Sequence, residues 1–433
     1  MNLIYLNCVK NADECDYLFV VSPKIETKLC TKCGSCNVVN YGRYTKLVRD
    51  ININEHYTAL KIRGHKHLCK DCGSIFVDRF NTLDLCSKMT NRLRCKIQQL
   101  SLTKPFKHIT RQYKLSVTTI EKIALAYIRE KDSQHIMYSP EVLGIDEAHL
   151  NGSIRCVLTD INEHLLFEML PKRDKQTVMN YLDSLPDSNN IKVVTMDMYR
   201  PYREAVYECL PDAAIVIDRF HVVKLINDVL SDYRKTLCKQ LSAAEKKEIN
   251  SVQKALNTNR KDLTANQNKK LGYIYSKYPE LKMAYDLKEE FREIYECTNR
   301  RAAVLKYTKW SRKVKQNFSP YISITETVNR WSLEIFNYFD HPYTNGVTEA
   351  INGCIKAIAR DGKGYSFEIL RGKVLYGQAY KTKAIFSYNK FSPTIHYVTG
   401  PSTRSSLNMI QNLMDSYKQI SGTDIDRLKL GLF

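Results

Sequence analysis

Apolar and polar positions alternate with the period of β-strands in the middle of the chain and with the period of helices on either side. Three runs, VLGID, SIRCVLTD and HLLFEML, predict successive strands joined by short turns. They are followed by the helical pattern DKQTVMNYLDSL, the strand IKVVTMD, the helical pattern PYREAVYECL and the strand AAIVID. Residues 141–223 are therefore predicted to form the first part of an α/β core.

This order of elements favours an RNase H-like core, in which three strands are followed by alternating helices and strands. In that arrangement the first and fourth strands are neighbours, and their carboxyl ends form the edge where open α/β sheets bind ligands. Asp146 ends the first predicted strand and Asp197 ends the fourth, so we expect the two carboxylates to lie side by side. For either aspartate alone, a turn residue or a helix cap is the ordinary alternative.

The pattern changes after residue 223. Residues 224–340 are polar, rich in lysine and almost wholly helical in period, which predicts an all-helical insertion into the core. Their lysines form either a solvated face or a surface that follows DNA. The helical pattern YTNGVTEAINGCIKAI then brings Glu349 into the last part of the core, at 341–390, and a C-terminal tail without clear periodicity follows at 391–433.

Two cysteine pairs lie in residues 30–80, after a short lead-in at 1–29. Each CxxCG turn presents two thiolates from a tight loop, and two such turns form a tetrahedral site for one structural Zn²⁺. The segment is therefore predicted to be a zinc ribbon with four ligands: Cys30, Cys33, Cys69 and Cys72. Cys36 lies close enough to compete as a ligand, and a redox dithiol or free thiols are the alternative.

Residues 85–135 are basic and helical in character, with 11 Lys or Arg against two acids between Cys86 and Lys131. The segment FKHITRQYKLSVTTIEKIALAYI predicts two helices separated by a turn at Leu115-Ser116, which fits a helix-turn-helix whose second helix enters a major groove. The predicted buried stripe of that helix is Val117, Ile120, Ile123 and Ala124. The candidate DNA contacts are Arg111, Lys114, Thr118, Thr119 and Lys122. A plain helical hairpin between two domains is the alternative.

The overall charge points to a polyanionic partner. The 433 residues carry a formal net charge of +20, which favours a polyanionic partner, most often nucleic acid, and general solubility is the alternative. No apolar run is long enough to span a membrane and no signal peptide is evident, so we expect a cytoplasmic protein with no membrane partner.

Three carboxylates carry the predicted chemistry: Asp146, Asp197 and Glu349. Carboxylates that converge in this way can hold two divalent metal ions roughly 3.5–4 Å apart, which is the geometry used for in-line attack on a phosphodiester. Hard oxygen ligands suit Mg²⁺ or Mn²⁺ rather than zinc. The backbone of a nucleic acid is therefore the expected substrate.

Four stretches of the chain resemble one protein family: LGIDEAHL, VTMDMYRPYREAV, IDRFHVVKLIND and TNGVTEAINGCIKAIARDGKGYSFEILRGKVL. The family is the ISL3 group of bacterial insertion-sequence transposases, of the DDE class and with an RNase H-like fold. The resemblance runs over roughly residues 28 to 390, the predicted zinc ribbon and helix-turn-helix included. In the last stretch the matching positions are Asn345, Gly346, Asn352, Lys356, Gly364 and Phe367. Ala350 stands where family members often have glycine.

By this resemblance, Asp146, Asp197 and Glu349 are the catalytic triad and hold two Mg²⁺ or Mn²⁺ ions. Asp218 and His221 resemble a second motif of related transposases, which orients DNA or steadies the site, and are otherwise strand-end and helix-start structure. The implied function is binding of the terminal inverted repeats, followed by metal-dependent strand cleavage and strand transfer to target DNA. Pairing two ends implies at least a homodimer on double-stranded DNA, and hence association with the nucleoid.

Two other functions remain open at this point. The first is a DNA-binding regulator that derives from a transposase and has no catalysis. The second is an RNase H-like nuclease that acts in repair or on RNA. The intact set of three carboxylates argues against the regulator, and a zinc ribbon next to a helix-turn-helix argues for sequence-specific duplex DNA rather than RNA.

Overall fold

The computed structural model of the chain describes residues 3–12, 15–23, 29–77, 88–150 and 152–377. The C-terminal tail predicted at 391–433 lies outside the described residues, as do 378–390 of the last core segment. The same holds for 78–87, which include the boundary predicted between the cysteine segment and the basic helices, and for parts of the lead-in.

The first sheet has five strands: β1 (Leu3–Ala12), β2 (Cys15–Pro23), β3 (Val38–Arg49), β4 (Thr58–Cys69) and β5 (Ile75–Val77). Its order is β1-β2-β4-β3, with β5 also paired to β4. The β2–β4 pair is parallel and the other pairs are antiparallel. Residues 1–29 are thus more than the predicted lead-in, because they contribute two strands to the sheet of the cysteine segment.

Three helices follow: α1 (Asn91–Thr103), α2 (Phe106–Tyr113) and α3 (Val117–Gln134). The side chain of Thr90 caps the N-terminus of α1, and that of Ser116 caps α3 by accepting from the backbone N–H of Thr119. Ile120 and Ala124 of α3 are buried, as the helical period predicts. Val117, predicted to be buried with them, is 51% exposed at the first position of α3.

Side chains of β3 and of the loop after it hold the turn between α2 and α3. The donors are Arg49, Asn52 and Tyr57. They donate to the backbone carbonyls of Arg111, Gln112, Tyr113 and Lys114. The ammonium of Lys114 also lies 3.8 Å from the centre of the Tyr57 ring. The first sheet therefore fixes the shape of the turn that begins α3.

The second sheet contains β6 (Val142–Leu150), β7 (Ser153–Asp160), β8 (Leu165–Leu170), β9 (Val193–Met196) and β10 (Ala214–Ile217). Its order is β10-β9-β6-β7-β8. β6, β7 and β8 are antiparallel, whereas β9 and β10 run parallel to β6. The predicted adjacency of the first and fourth strands is confirmed, since β6 pairs with β9. Helices α4 (Lys175–Asp183) and α5 (Arg200–Cys209) connect the strands.

Residues 219–339 form helices joined by short connections and contain no strand. Eight α-helices cover this part: α6 (Arg219–Lys239), α7 (Ala243–Ser251), α8 (Gln253–Asn257), α9 (Ala265–Lys277), α10 (Pro279–Arg292), α11 (Arg300–Asn317), α12 (Ile322–Arg330) and α13 (Ser332–Phe336). Their apolar side chains join those of one face of the second sheet in a single buried cluster. The helices and this face of the second sheet therefore share one hydrophobic core.

The opposite face of the second sheet is covered by α14 (Gly346–Gly362) and α15 (Phe367–Tyr376). α15 also packs on α1 and α3. There, a Cβ on Gly372 would come within 2.4 Å of the Ile128 side chain. The Ile128 side chain of α3 therefore packs directly on the backbone of α15. The buried ammonium of Lys373 donates to the carbonyls of Ser101 and Lys104 at the C-terminal end of α1. These contacts join the N-terminal helices to the second sheet.

Candidate metal and nucleic-acid sites

Three aspartates lie where the parallel strands of the second sheet end. Asp197 directly follows β9 and Asp218 directly follows β10. Asp146 follows Ile145, the last residue of β6 that pairs with β9. It does not end the strand as predicted, because β6 continues to pair with β7 as far as Leu150. Glu349 stands in the first turn of α14, and we call this group of four the carboxylate edge.

Asp146 is held firmly at this edge. Its Oδ1 accepts from the backbone N–H of Glu147 at 2.7 Å, and its Oδ2 accepts from Nδ2 of Asn352 at 2.8 Å. Burial and the negative charge of Asp197 raise the pKa of Asp146 to about 6. Burial, followed by the charge of Asp218, also raises the pKa of Glu349. These carboxylates thus repel one another, as they do in sites built to receive cations.

A buried polar network sets the position of α14. Nδ2 of Asn345 donates to the carbonyl of Ile145 at 3.1 Å, and its Oδ1 accepts from the hydroxyls of Thr195 and Thr348. Thr348 also lies 2.6 Å from Oγ1 of Thr159. A Cβ on Gly144 would come within 2.7 Å of Thr348, so the close approach of α14 depends on a glycine there. The network brings Glu349 to the ends of β6 and β9.

His221 lies between two of the aspartates. Its Nδ1 is 2.8 Å from Oδ1 of Asp197 and 3.6 Å from Oδ2 of Asp218. Its contacts with Asp197 and then Asp218 raise the pKa of His221 to about 10, so the imidazolium form is favoured. Asp218 also accepts from the backbone N–H of Phe220 and so caps α6. His221 therefore offsets part of the negative charge of the carboxylate edge.

Not all of these groups are equally close. One oxygen or nitrogen each of Asp218, His221 and Glu349 lie within 4.8 Å of one another. Asp146, Asp197 and Glu349 share the edge but do not form a second group as tight as this one among the described residues. The structure thus brings the predicted triad and the predicted supporting pair to one edge of the sheet, where Asp218 and His221 lie nearer to Glu349 than the sequence indicates.

The four predicted zinc ligands form a second cluster. Sγ of Cys30 lies 3.5 Å from that of Cys72, and Sγ of Cys33 lies 3.6 Å from that of Cys69. A tetrahedral zinc–thiolate site with bonds of about 2.3 Å has sulfur–sulfur edges of about 3.8 Å, so the four sulfurs fit a zinc ion. Backbone N–H groups of Cys33 and Lys32 lower the pKa of Cys30 to about 6, which favours the ligating thiolate.

The two CxxCG turns have the same backbone. The N–H of Gly34 donates to the carbonyl of Cys30 at 3.0 Å, and the N–H of Gly73 donates to that of Cys69 at 3.0 Å. Both glycines have positive φ, at 75° and 68°, which explains the residue type at each turn. Cys36, the possible competitor, is exposed and lies outside the cluster.

The predicted DNA contacts lie around the start of α3. Arg111, Lys114, Thr118 and Lys122 are exposed, whereas Thr119 is half-buried. The hydroxyl of Thr119 lies 2.8 Å from that of Ser116, the capping residue. Thr119 therefore contributes to the cap of α3, and Lys114 is placed over Tyr57.

Two residues near the carboxylate edge are absent from the sequence prediction. Thr348 lies one position before Glu349 and belongs to the buried network. Arg173 donates to the carboxylate of Glu147, and its guanidinium lies 4.7 Å from the ring centre of Tyr199. The family-like string around Glu349 includes Asn345 and Asn352, so resemblance does signal the network. Nothing in the local pattern signals Arg173.

Comparison with known proteins identifies the class. Residues 143–374 match the sequence model of a family described as a transposase, the ISL3-type DDE group. This segment is more than half of the chain and contains the whole carboxylate edge. The chain belongs to the ISL3 family of transposases. Membership implies a DNA-processing enzyme that uses divalent metal ions. No helix in the described parts of the chain is long and apolar enough to cross a membrane.

Individual relatives agree with the family. The chain is similar to the transposase for insertion sequence element IS1001 of Bordetella parapertussis, with 26% identity over 80% of this chain and 87% of the relative. It is also similar to the transposase for insertion sequence element IS1557 of Mycobacterium tuberculosis, in two strains, with 24% identity over 52% of this chain and 56% of the relative.

Proposed function

We propose that this chain is the active transposase of a bacterial insertion sequence, which binds the terminal inverted repeats and carries out metal-dependent cleavage and strand transfer of DNA. One observation carries the proposal. In a chain of a transposase family, Asp146, Asp197 and Glu349 arrive at one edge of the second sheet from three separate elements. Burial and neighbouring negative charge raise the pKa values of Asp146 and Glu349, which is typical of functional sites.

The topology supports an RNase H-like core with a helical insertion. Three antiparallel strands are flanked by two parallel strands, and the helices of 219–339 separate β10 from α14. We propose that 141–223 and 341–390 are the two parts of this core, and that 224–340 is the insertion. The insertion then lies next to the carboxylate edge, where it can line a path for DNA.

The catalytic roles follow from the contacts. Asp146, Asp197 and Glu349 would hold two Mg²⁺ or Mn²⁺ ions, which would supply activation of water and stabilisation of the departing 3′ oxygen. The amide of Asn352 holds one oxygen of Asp146 and leaves the carboxylate only limited freedom. His221 keeps the carboxylates of Asp197 and Asp218 together against their mutual repulsion, and we assign Asp218 and His221 this supporting role.

We propose that the N-terminal part reads the inverted repeats. The cysteine cluster, with one Zn²⁺, forms a zinc ribbon, and α2 and α3 form a helix-turn-helix. The exposed side chains of Arg111, Thr118 and Lys122 surround the start of α3, where a recognition helix contacts DNA. Lys114 is available to a phosphate only if it leaves the Tyr57 ring. Joining two transposon ends requires at least a homodimer on the DNA.

The test uses duplexes that carry the flanking inverted repeats, the full-length chain and Mg²⁺ or Mn²⁺. We expect nicks at the repeat ends that require the metal. Asp197→Asn should reduce cleavage to background and still bind the repeats, because it removes one ligand charge and little volume. Asp212→Asn, a change at an exposed aspartate, is the matched control and should cut like the wild type.

Each contrary result has a meaning. Cleavage that survives Asp197→Asn would overturn the assignment of the triad. A wild-type chain that binds repeats but never cuts would be a DNA-binding regulator. Cutting that ignores the repeat sequence would indicate a nuclease.

A further inference from the structure

A cavity of about 530 Å³ opens beside the carboxylate edge. Asp218 and Glu349 line it on the side of the second sheet. Its other walls come from the first turn of α6, from residues 259–261 and from the C-terminal end of α10 and the residues that follow. A volume of this size is in the range of small-molecule sites, so it fits a single nucleotide rather than a double helix.

Phe220 is the feature of this cavity that packing does not explain. It lies between Asp218 and His221 in the chain, and 56% of its surface is exposed. The only ring contact found for it within the described residues is an edge-on one with His221, at a centroid distance of 5.6 Å. A large aromatic ring that is exposed beside a reactive site is suited to stack on a nucleobase.

Some of the charged side chains in the cavity walls are paired and others are not. Three acids already have cationic partners: Glu289 with Lys288, Glu293 with Lys306, and Glu296 with Lys261. Arg219 and Arg292 have no ion-pair partner in the part of the chain that the structure describes; Arg219 donates only to the hydroxyl of Tyr338, at 3.3 Å. Two guanidinium groups are thus available to phosphates.

We propose that this cavity receives one unstacked nucleotide of the DNA strand next to the scissile phosphate, with its base against Phe220 and its backbone phosphates near Arg219 and Arg292. The proposal rests on the proposed function, because it is DNA cleavage that brings a strand to the carboxylate edge. The geometry requires unstacking, since a base that remains in the duplex cannot enter a cavity of this size.

A binding cycle tests the site without cleavage. The affinity of the full-length chain is measured, without divalent metal, for intact repeat-end duplexes and for duplexes that lack the base on one or the other side of the cut. Phe220→Ala should weaken binding to the intact duplex by about 5- to 140-fold, the range expected for one stacked base. The same substitution should have little effect on the affinity for the duplex that lacks the base stacked on Phe220, because the partner of the ring is already absent.

Cleavage provides the second readout. Phe220→Ala should slow cutting of a fully paired end and should slow it much less when a mismatch already unpairs that nucleotide. Phe220→Trp should retain most activity, because the larger ring still stacks. Tyr273→Ala removes a ring that is 53% exposed and lies outside the cavity, and it should cut both substrates like the wild type.

The outcomes separate this proposal from the proposed function. Equal weakening of binding to intact and abasic duplexes, or no weakening of either, overturns the nucleotide site even if the wild type cuts DNA. Equal slowing of paired and mismatched ends overturns it as well. A wild-type chain that shows the predicted coupling but never cuts supports the nucleotide site and overturns the cleavage activity.

Discussion

Two buried asparagines distinguish the carboxylate edge from an ordinary cluster of acids. Asn345 and Asn352 both lie on the side of α14 that faces β6, one at its N-terminal boundary and one a turn beyond Glu349. A buried amide is stable only when its hydrogen-bonding groups find partners. Here the amide nitrogen of Asn345 donates to the carbonyl of Ile145. That of Asn352 donates to a carboxylate oxygen of Asp146, whereas Oδ1 of Asn352 has no partner among the described residues. The hydrogen bonds of these amides therefore fix the distances between α14 and the strand ends more closely than apolar packing alone would.

The first prediction at this scale concerns Asn352. We expect Asn352→Leu to lower kcat by about 10- to 100-fold, the range for a lost hydrogen bond to a charged group, and to leave KM for DNA nearly unchanged. The reason is that Asp146 keeps its charge but loses its fixed orientation. Steady-state cleavage at several Mg²⁺ concentrations measures the effect, and a greater metal requirement should accompany it.

Asn180→Leu, on the exposed side of α4, serves as the control for that substitution. A rise in KM without a fall in kcat would show that Asn352 contacts DNA instead of positioning Asp146.

At the scale of residues, most of the site could be predicted from the ends of the predicted strands. Asp197 and Asp218 can be found because each follows an apolar run that must be a buried strand. Glu349 is found through its helical pattern and family resemblance. The place of His221 between two aspartates depends on how β9 and β10 pair, which is a long-range property. No local periodicity records it, and the closeness of Asp218 to Glu349 is hidden for the same reason.

Among elements, the joint between the first sheet and α1 depends on one buried acid. Asp50, just after β3, is 2% exposed. It accepts from the hydroxyl of Thr90 at 2.7 Å and from Nε of Arg92 at 2.6 Å. Burial alone would raise the pKa of Asp50, but the hydrogen bonds from Arg92 and Thr90 hold it below its ordinary value. The ionised form therefore stabilises the joint.

This joint should make stability depend on pH. The folded-state pKa of Asp50 is lower than its unfolded-state value, so its contribution is fully present above the ordinary pKa and is lost as the pH falls through the lower, folded-state value. We expect Asp50→Asn to lower the free energy of unfolding by about 1–3 kcal/mol at pH 7. The difference from the wild type should shrink below pH 4. Urea unfolding between pH 7 and pH 3 measures it.

The exposed substitution Asp212→Asn should show neither the loss at pH 7 nor the convergence in acid. A gap between Asp50→Asn and wild type that stays constant down to pH 3 would mean that the ionised carboxylate is not the stabilising form.

Elements were predicted well where the hydrophobic period was long and less well at the N-terminus. The strands and helices of 141–223 match because each apolar run is buried on one side of a single core. β1 and β2 were predicted to be a lead-in, although LIYLNCVKNA and CDYLFVVSP alternate in polarity. Their place in a sheet depends on the pairing of β2 with β4, which is a long-range contact that the local sequence does not show. Val117 was misplaced because the first turn of a helix often faces solvent whatever its residue type.

For the whole molecule, β4 connects the cysteine cluster at its C-terminal end with the loop that precedes its N-terminal end. Cys69 is fully buried at the end of β4. The loop between β3 and β4 supplies Asn52 and Tyr57, which hold the turn before α3. We therefore expect loss of zinc to disturb DNA binding, since the support for that turn would loosen. The second sheet and its carboxylate edge lie outside this chain of contacts.

Cys69→Ser tests the link. The variant should lose its zinc, measured by elemental analysis, and should bind the inverted repeats at least about tenfold more weakly. Thermal unfolding of the core should still be seen. Cys36→Ser is the matched control, because Cys36 is exposed and lies outside the cluster, and it should keep both zinc and affinity. Loss of zinc from Cys36→Ser would show that the ligand set is different.

The packing of α15 against α1 and α3 has a consequence for the distance along the DNA between binding and cleavage. Gly372 against Ile128, and Lys373 at the end of α1, pack α15, which covers the second sheet, directly on the N-terminal helices. If DNA lies along α3 as proposed, the separation between the sequence that is recognised and the bond that is broken is a length built into the folded chain. The protein then works as a ruler, and the number of base pairs between the two is set by side-chain packing.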